Sequence, residues 1–274
     1  MRKHLPLLQA AGLLLGAGVL IAISVLRLLA LNEPLAGVLY QAADFGGLHP
    51  FLTTTPAEGA AQVVTPTPAL PAHTAAKTAG AVQIAGDEPG VYGAFRGQAT
   101  GNVDTLAAFY ADHPAERQGV VHAFTGDAGF RWTRSWALRE KDLADYLHEL
   151  TPALLRFDIR VTDHEFRDGK ITPFETVLQR GTTVFIDAYG VPRIRGRSGS
   201  PLTLSTSTAL RPAYSGTPWT DFAAASVIAI TPTPTRLTAL TLIDLTGGSP
   251  FERPLGTNGE SDRPPSVTVR PSGR

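Results

Sequence analysis

The stretch "LLRFDIRVT", residues 154–162, alternates apolar and polar side chains from Leu155 onward. Leu155, Phe157, Ile159 and Val161 fall on one side, and Arg156, Asp158, Arg160 and Thr162 on the other. Successive side chains of a strand point to opposite faces, so this period-two pattern predicts a half-buried strand of an antiparallel sheet.

Further strands are predicted on the carboxyl-terminal side. "TTVFIDAYGVPRIR", 182–195, reads as two strands joined at Asp187–Gly190. "SVIAIT", 226–231, and "LTALTLIDLTGG", 237–248, add two more around a Pro-Thr-Pro turn. Helical spacing dominates on the other side. "NVDTLAAFYADHP", 102–114, sets Leu106, Phe109 and Tyr110 on one face behind Asn102 as a cap, and "AERQGVVHAF" continues as a second short helix. "EKDLADYLHELTP", 140–152, groups Leu143, Tyr146, Leu147 and Leu150. Helices first and strands after predict an α+β class with a mainly antiparallel sheet.

The flanks have a different texture. From Leu5 to Leu26 the chain runs 22 residues without a formal charge, behind Arg2 and Lys3. That length suits a single-pass signal-anchor over residues 5–32, with residues 1–4 cytoplasmic, the remainder extracytoplasmic and the lipid bilayer as a partner. Residues 52–81 are biased to Thr, Pro and Ala and carry two formal charges, and the span 33–85 reads as a spacer. The domain is expected over 86–256, with a disordered tail over 257–274.

The chain has 24 basic and 24 acidic residues, and no acid among residues 1–32, so the rest is mildly acidic. That balance argues against nucleic acid as a partner. The absence of cysteine excludes disulfides, thiolate zinc sites and cysteine nucleophiles. No phosphate-loop, HExxH or GxSxG spacing occurs, and no cofactor is implied.

Two groups of residues could carry chemistry. Asp163-His164-Glu165, with Asp168 downstream and Asp158 upstream, offers carboxylates and an imidazole for acid–base hydrolysis or a metal. Adjacent strand residues diverge, however, and Arg167-Asp168-Gly169-Lys170 is a strong turn signal, so a polar strand end accounts for the cluster. Arg193, Arg195 and Arg197 recur every second residue and would share one face of a strand. Such a stripe is either a solvated face or a site for an anionic ligand such as a wall polymer. Trp132, Trp136 and Trp219 suit sugar stacking, although indoles more often fill a core.

The run "LTPALLRFDIRVTDHEFRDGKITPFETVLQRGTTVFIDAYGVPRIR", together with "GTPWTDF" and "FERPLG", resembles an extracytoplasmic domain-of-unknown-function family of actinobacterial-type proteins. "HPF" at 49–51 and "PGVYG" at 89–93 fit it more loosely. The resemblance implies a domain behind a membrane anchor or signal, and no activity, substrate or catalytic residue. It also implies cysteines at positions occupied here by Gly196, Ser198 and about Gly101. The expected role is structural or binding at the cell envelope, with a cell-wall polymer or another envelope protein as partner. An envelope hydrolase and a sensor ectodomain are the alternatives.

Overall fold

The computed structural model describes residues 37–52, 68–70, 77–78, 80–134, 136–209 and 211–266. The alternating stretch turns out to be two strands rather than one. β5 (Thr151–Leu155) ends before Arg156, and β6 begins after Asp158, spanning Ile159–Arg167. The two strands belong to different sheets. Leu155, Phe157, Ile159 and Val161 still enter one core, because the chain crosses between facing sheets without breaking the alternation.

Strands β1 (Val38–Gln41), β2 (Lys77–Thr78), β3 (Ala81–Ala85) and β4 (Tyr92–Ala94) precede the helices. Helices α1 (Val103–Asp112), α2 (Pro114–Gly126) and α3 (Leu143–His148) follow, the last entered through a 3₁₀ turn at Glu140–Asp142. After β6 come β7 (Lys170–Leu178), β8 (Thr183–Ile186), β9 (Pro192–Arg195), β10 (Tyr214–Ser215), β11 (Ile228–Thr231), β12 (Ala239–Asp244) and β13 (Pro250–Pro254).

One sheet has seven strands in the order β10-β1-β7-β6-β11-β3-β2, the other six in the order β13-β12-β4-β5-β8-β9. Their facing surfaces enclose the main core, with Ile84, Ile159, Leu178 and Ile228 from the first sheet and Leu155, Val184, Ile186 and Leu242 from the second. Phe185 and Ile194 point the other way from the six-stranded sheet, as the pleat requires. There they meet Leu106, Tyr110, Phe124, Tyr146 and Leu147 of the three helices. The outer face of the seven-stranded sheet is covered in turn by Tyr214, Trp219 and Phe222.

The α+β expectation is therefore corrected. Sheet dominates, and the helices are one insertion between β4 and β5. The sheets are mixed rather than mainly antiparallel: β1 runs parallel to β7 and β10, β11 to β3 and β6, and β12 to β4. Strands far apart in sequence are free to pair in parallel, and local periodicity carries no sign of it.

Several local expectations do hold. Asn102 caps α1 by accepting from the Thr105 amide at 3.0 Å. β6 and β7 form a hairpin whose turn, Asp168-Gly169, has positive φ at both residues, the backbone that Asp-Gly suits. Asp187 ties the β8–β9 turn by accepting from the Tyr189 and Val191 amides. At that turn Gly190 and Gly86 pack so closely that a Cβ on either would fall within 2.7 Å of the other's backbone.

The boundaries move outward. The expected spacer 33–85 supplies β1, β2 and β3 to the seven-stranded sheet. The expected tail is folded as far as it is described: Arg263 bridges to Glu252, and Asp262 accepts from buried Arg253 at 2.8 and 2.9 Å. No helix among the described residues is long and apolar enough to cross a membrane, so the single-pass anchor is not supported. The segment on which it was expected, residues 5–32, lies outside the described residues.

Candidate recognition face

The structure buries most of the charged residues singled out in the sequence. Arg193 and Arg195 lie side by side on β9, as the alternation requires, but both are fully buried. Arg193 donates to Asp187 at 2.7 Å, to Asp127 at 2.6 Å and to the Gly129 carbonyl at 3.1 Å, with its guanidinium over the Phe130 ring. These carboxylates outweigh the cost of burial and push its pKa above the ordinary arginine value. Arg195 donates to Gln41 and to the Ala42 and Phe45 carbonyls, and faces Asp163 at 3.6 Å. Arg197 sits half-buried in the turn after β9. The guanidinium forks of Arg193 and Arg195 thus grip the protein's own acceptors.

The acidic cluster is dispersed in the same way. Asp163 is 2% exposed and accepts from Gln41 at 2.9 Å and from the His164 amide at 2.7 Å. His164 hydrogen-bonds the Pro201 carbonyl through Nδ1 at 2.8 Å, and burial holds its pKa below the usual imidazole value. Glu165 looks toward His49 at 4.0 Å, and Asp168 occupies the exposed hairpin turn beside Arg167. Five residues of strand place Asp168 about 16 Å along the hairpin from Asp163. Asp158 accepts from the Arg180 amide and from the Trp219 indole, and burial raises its pKa. Among the described residues no group of three or more His, Asp or Glu is placed to hold a metal ion.

What does face solvent is the loop from Asp127 to Arg139, between α2 and the 3₁₀ turn. Its root is fixed from beneath by Arg193, through Asp127 and Gly129. Phe130 stacks on Phe124 at 5.3 Å and packs edge-on to Tyr146. Farther along, Thr133 donates to Glu149 at 2.6 Å and Leu138 is buried. Between these pins the chain alternates aromatic rings with arginines. Arg131 lies over Tyr189, and Trp132 and Trp136 meet edge to face at 5.8 Å. The Arg134 guanidinium sits 5.8 and 5.7 Å from those two indoles, and Arg139 lies over Trp136 at 6.0 Å.

Trp136 is 45% exposed, an unusual surface position for so large an apolar side chain. Its rim is charged with both signs. Arg134 lies 3.7 Å from Asp145 and 3.9 Å from Glu149, and Arg139 binds Asp142 through two N–H groups. The bond from Arg139 holds the Asp142 carboxyl below its usual range. Among the described residues Arg134 donates no hydrogen bond. Stacking on the two indoles and the nearby Asp145 and Glu149 carboxylates hold it. Sequence reading weighs Trp132, Trp136 and Trp219 together as stacking or core indoles and misses the arginines between the first two. The signal was present in "FRWTRSW", where arginine and aromatic residues interleave.

The model of a domain of unknown function, DUF6777, matches residues 82–256. The chain belongs to the DUF6777 family. No curated protein and no solved structure matches it. In this chain the DUF6777 fold extends past the matched span on both sides. β1 supplies Gln41 to the Arg195–Asp163 contact, and Asp262 pairs with Arg253.

Proposed function

We propose that this DUF6777 domain works by recognition rather than turnover, as a binding module at the cell envelope whose partner is a wall polymer. The observation that carries this reading is the exposed, arginine-flanked Trp136. An indole held rigidly at the surface presents a large contact area at little entropic cost, and aromatic and arginine residues dominate binding hot spots. The buried arginines and carboxylates support the same view from the other side, since each is engaged in holding the fold. The envelope setting rests on the resemblance of residues 150–195, with "GTPWTDF" and "FERPLG", to extracytoplasmic domains.

Iodide quenching of tryptophan fluorescence tests the reading. Trp132 and Trp219 are partly buried and Trp136 is exposed, so quenching of the free protein reports largely on Trp136. Solubilised cell-wall polymer should protect it. Unchanged quenching at saturating polymer would count against the face as the binding surface, and protection by a co-purifying envelope protein instead would reassign the partner.

A further inference from the structure

Resting on that reading, we propose that the ligand is a neutral saccharide chain that crosses from the Trp136 platform into a neighbouring groove. The platform offers an exposed apolar plane, which matches the C–H face of a pyranose ring. Its rim alternates donors, Arg134 and Arg139, with acceptors, Asp142, Asp145 and Glu149. Two guanidinium groups set among three carboxylates give no net attraction to a polyanion, whereas sugar hydroxyls donate and accept at once and can use both signs. The Arg134 and Asp145 side chains, 43% and 67% exposed, supply one partner of each kind.

The groove extends the site. A cavity of about 450 Å³ lies between α1, α2 and the start of α3, lined by buried Tyr110 and Leu143, by Ala107, Ala111 and Ala144, and by the charged Arg117, Glu140 and Lys141. The segment from Arg139 to Asp145 borders both features. Arg139, Asp142 and Asp145 turn to the platform, while Glu140, Lys141 and Ala144 line the groove. Arg117 and Glu140, 3.5 Å apart, repeat in the groove the pairing of charges seen on the rim. The small alanines along the groove leave room for a second stretch of the same chain, so the ligand is an oligomer rather than a single sugar.

Calorimetric titration of the full chain with neutral oligosaccharides, from disaccharide to hexasaccharide, tests this, with a hexuronate oligomer as the charged comparison at low and high salt. Affinity should rise with length and stay insensitive to salt. Trp136→Ala should weaken every neutral oligomer about tenfold or more. Ala144→Trp, which obstructs the groove, should weaken the long oligomers more than the disaccharide. Salt-sensitive preference for the uronate would overturn the neutral-ligand inference. So would wall binding that depends on Trp136 while no neutral oligomer titrates, a result that leaves the recognition reading standing. Wall binding unchanged in Trp136→Ala, with an unaltered unfolding midpoint, would instead remove the recognition reading and this inference together.

Discussion

Arg195 Nη1 on β9 lies 3.6 Å from Asp163 Oδ2 on β6, and Gln41 of β1 donates to that same oxygen at 2.9 Å. The contact joins the six-stranded sheet to the seven-stranded one. Both partners are buried, so it belongs to the interior rather than to a ligand site. Asp163→Ala removes the carboxylate facing a buried guanidinium, and breaking such a pair costs about 3–5 kcal/mol. Urea unfolding should show a loss of that order, and Asp163→Ala with Arg195→Met should recover part of it. A loss below about 1 kcal/mol would contradict the assignment.

β1 lies outside the span that defines the family, yet it pairs with β7 and β10 and carries Gln41. A chain beginning at residue 82 exposes the β7 edge and removes a partner from Arg195 and Asp163. It should unfold at markedly lower temperature than a chain beginning at residue 37, and aggregate more readily through the open edge. Equal melting temperatures would show that β1 is dispensable.

The other end makes a parallel case. Arg253 is fully buried and donates to Asp262, Thr100 and the Pro152 carbonyl, while Asp262 also accepts from the Gly97 amide at 2.9 Å. Ending the chain at residue 256 leaves the guanidinium buried without that carboxylate, at a cost of about 3 kcal/mol or more. Asp262→Ala in the full chain should reproduce most of the loss in a denaturant titration. A wild-type midpoint for either variant would mean the residues after 256 contribute little.

These three contacts also show which features were legible in the sequence. Leu155 to Val161 announced their burial by alternation, Asn102 its cap, and Asp168-Gly169 its turn, because each signal is local. The break at Arg156–Asp158 was invisible, since a strand that changes sheets between facing layers keeps the same period. β7 was missed because Pro173 interrupts its pattern. The proline is tolerated since β1 covers only Thr176–Leu178 on that strand's second side. Arg193 and Arg195 were correctly placed on one face, but whether a face meets water or protein depends on elements remote in sequence. Here those are Asp127 and Gly129 for Arg193, and Gln41 to Phe45 for Arg195. The loop from Asp127 to Arg139 had a readable composition and no period, so neither helix nor strand reasoning reached it.

Acidification should reveal the buried imidazole. Burial is the main cause lowering the His164 pKa, opposed by the Pro201 carbonyl and by Asp163. A lowered folded value means the unfolded chain binds the proton first. Stability is therefore full above the unfolded value near 6.5 and falls as pH drops below it. His148 has the opposite sign: Asp104 raises its pKa, so its contribution is present below about 6.5 and is lost as pH climbs through the folded value. His164→Gln keeps a donor for the Pro201 carbonyl and removes the first effect. Its urea midpoint should fall less than that of the wild type between about pH 7.5 and 5.5. Parallel falls would place the acid sensitivity elsewhere.

Under the proposed function, recognition resides on the loop surface around Trp136, while the conspicuous arginines and carboxylates hold the fold. The most direct measurement is co-sedimentation of the full chain with purified cell wall, comparing wild type with Trp136→Ala and confirming an equal unfolding midpoint. Binding lost in the variant while its stability is unchanged is the predicted result. Equal binding by the two proteins would contradict it.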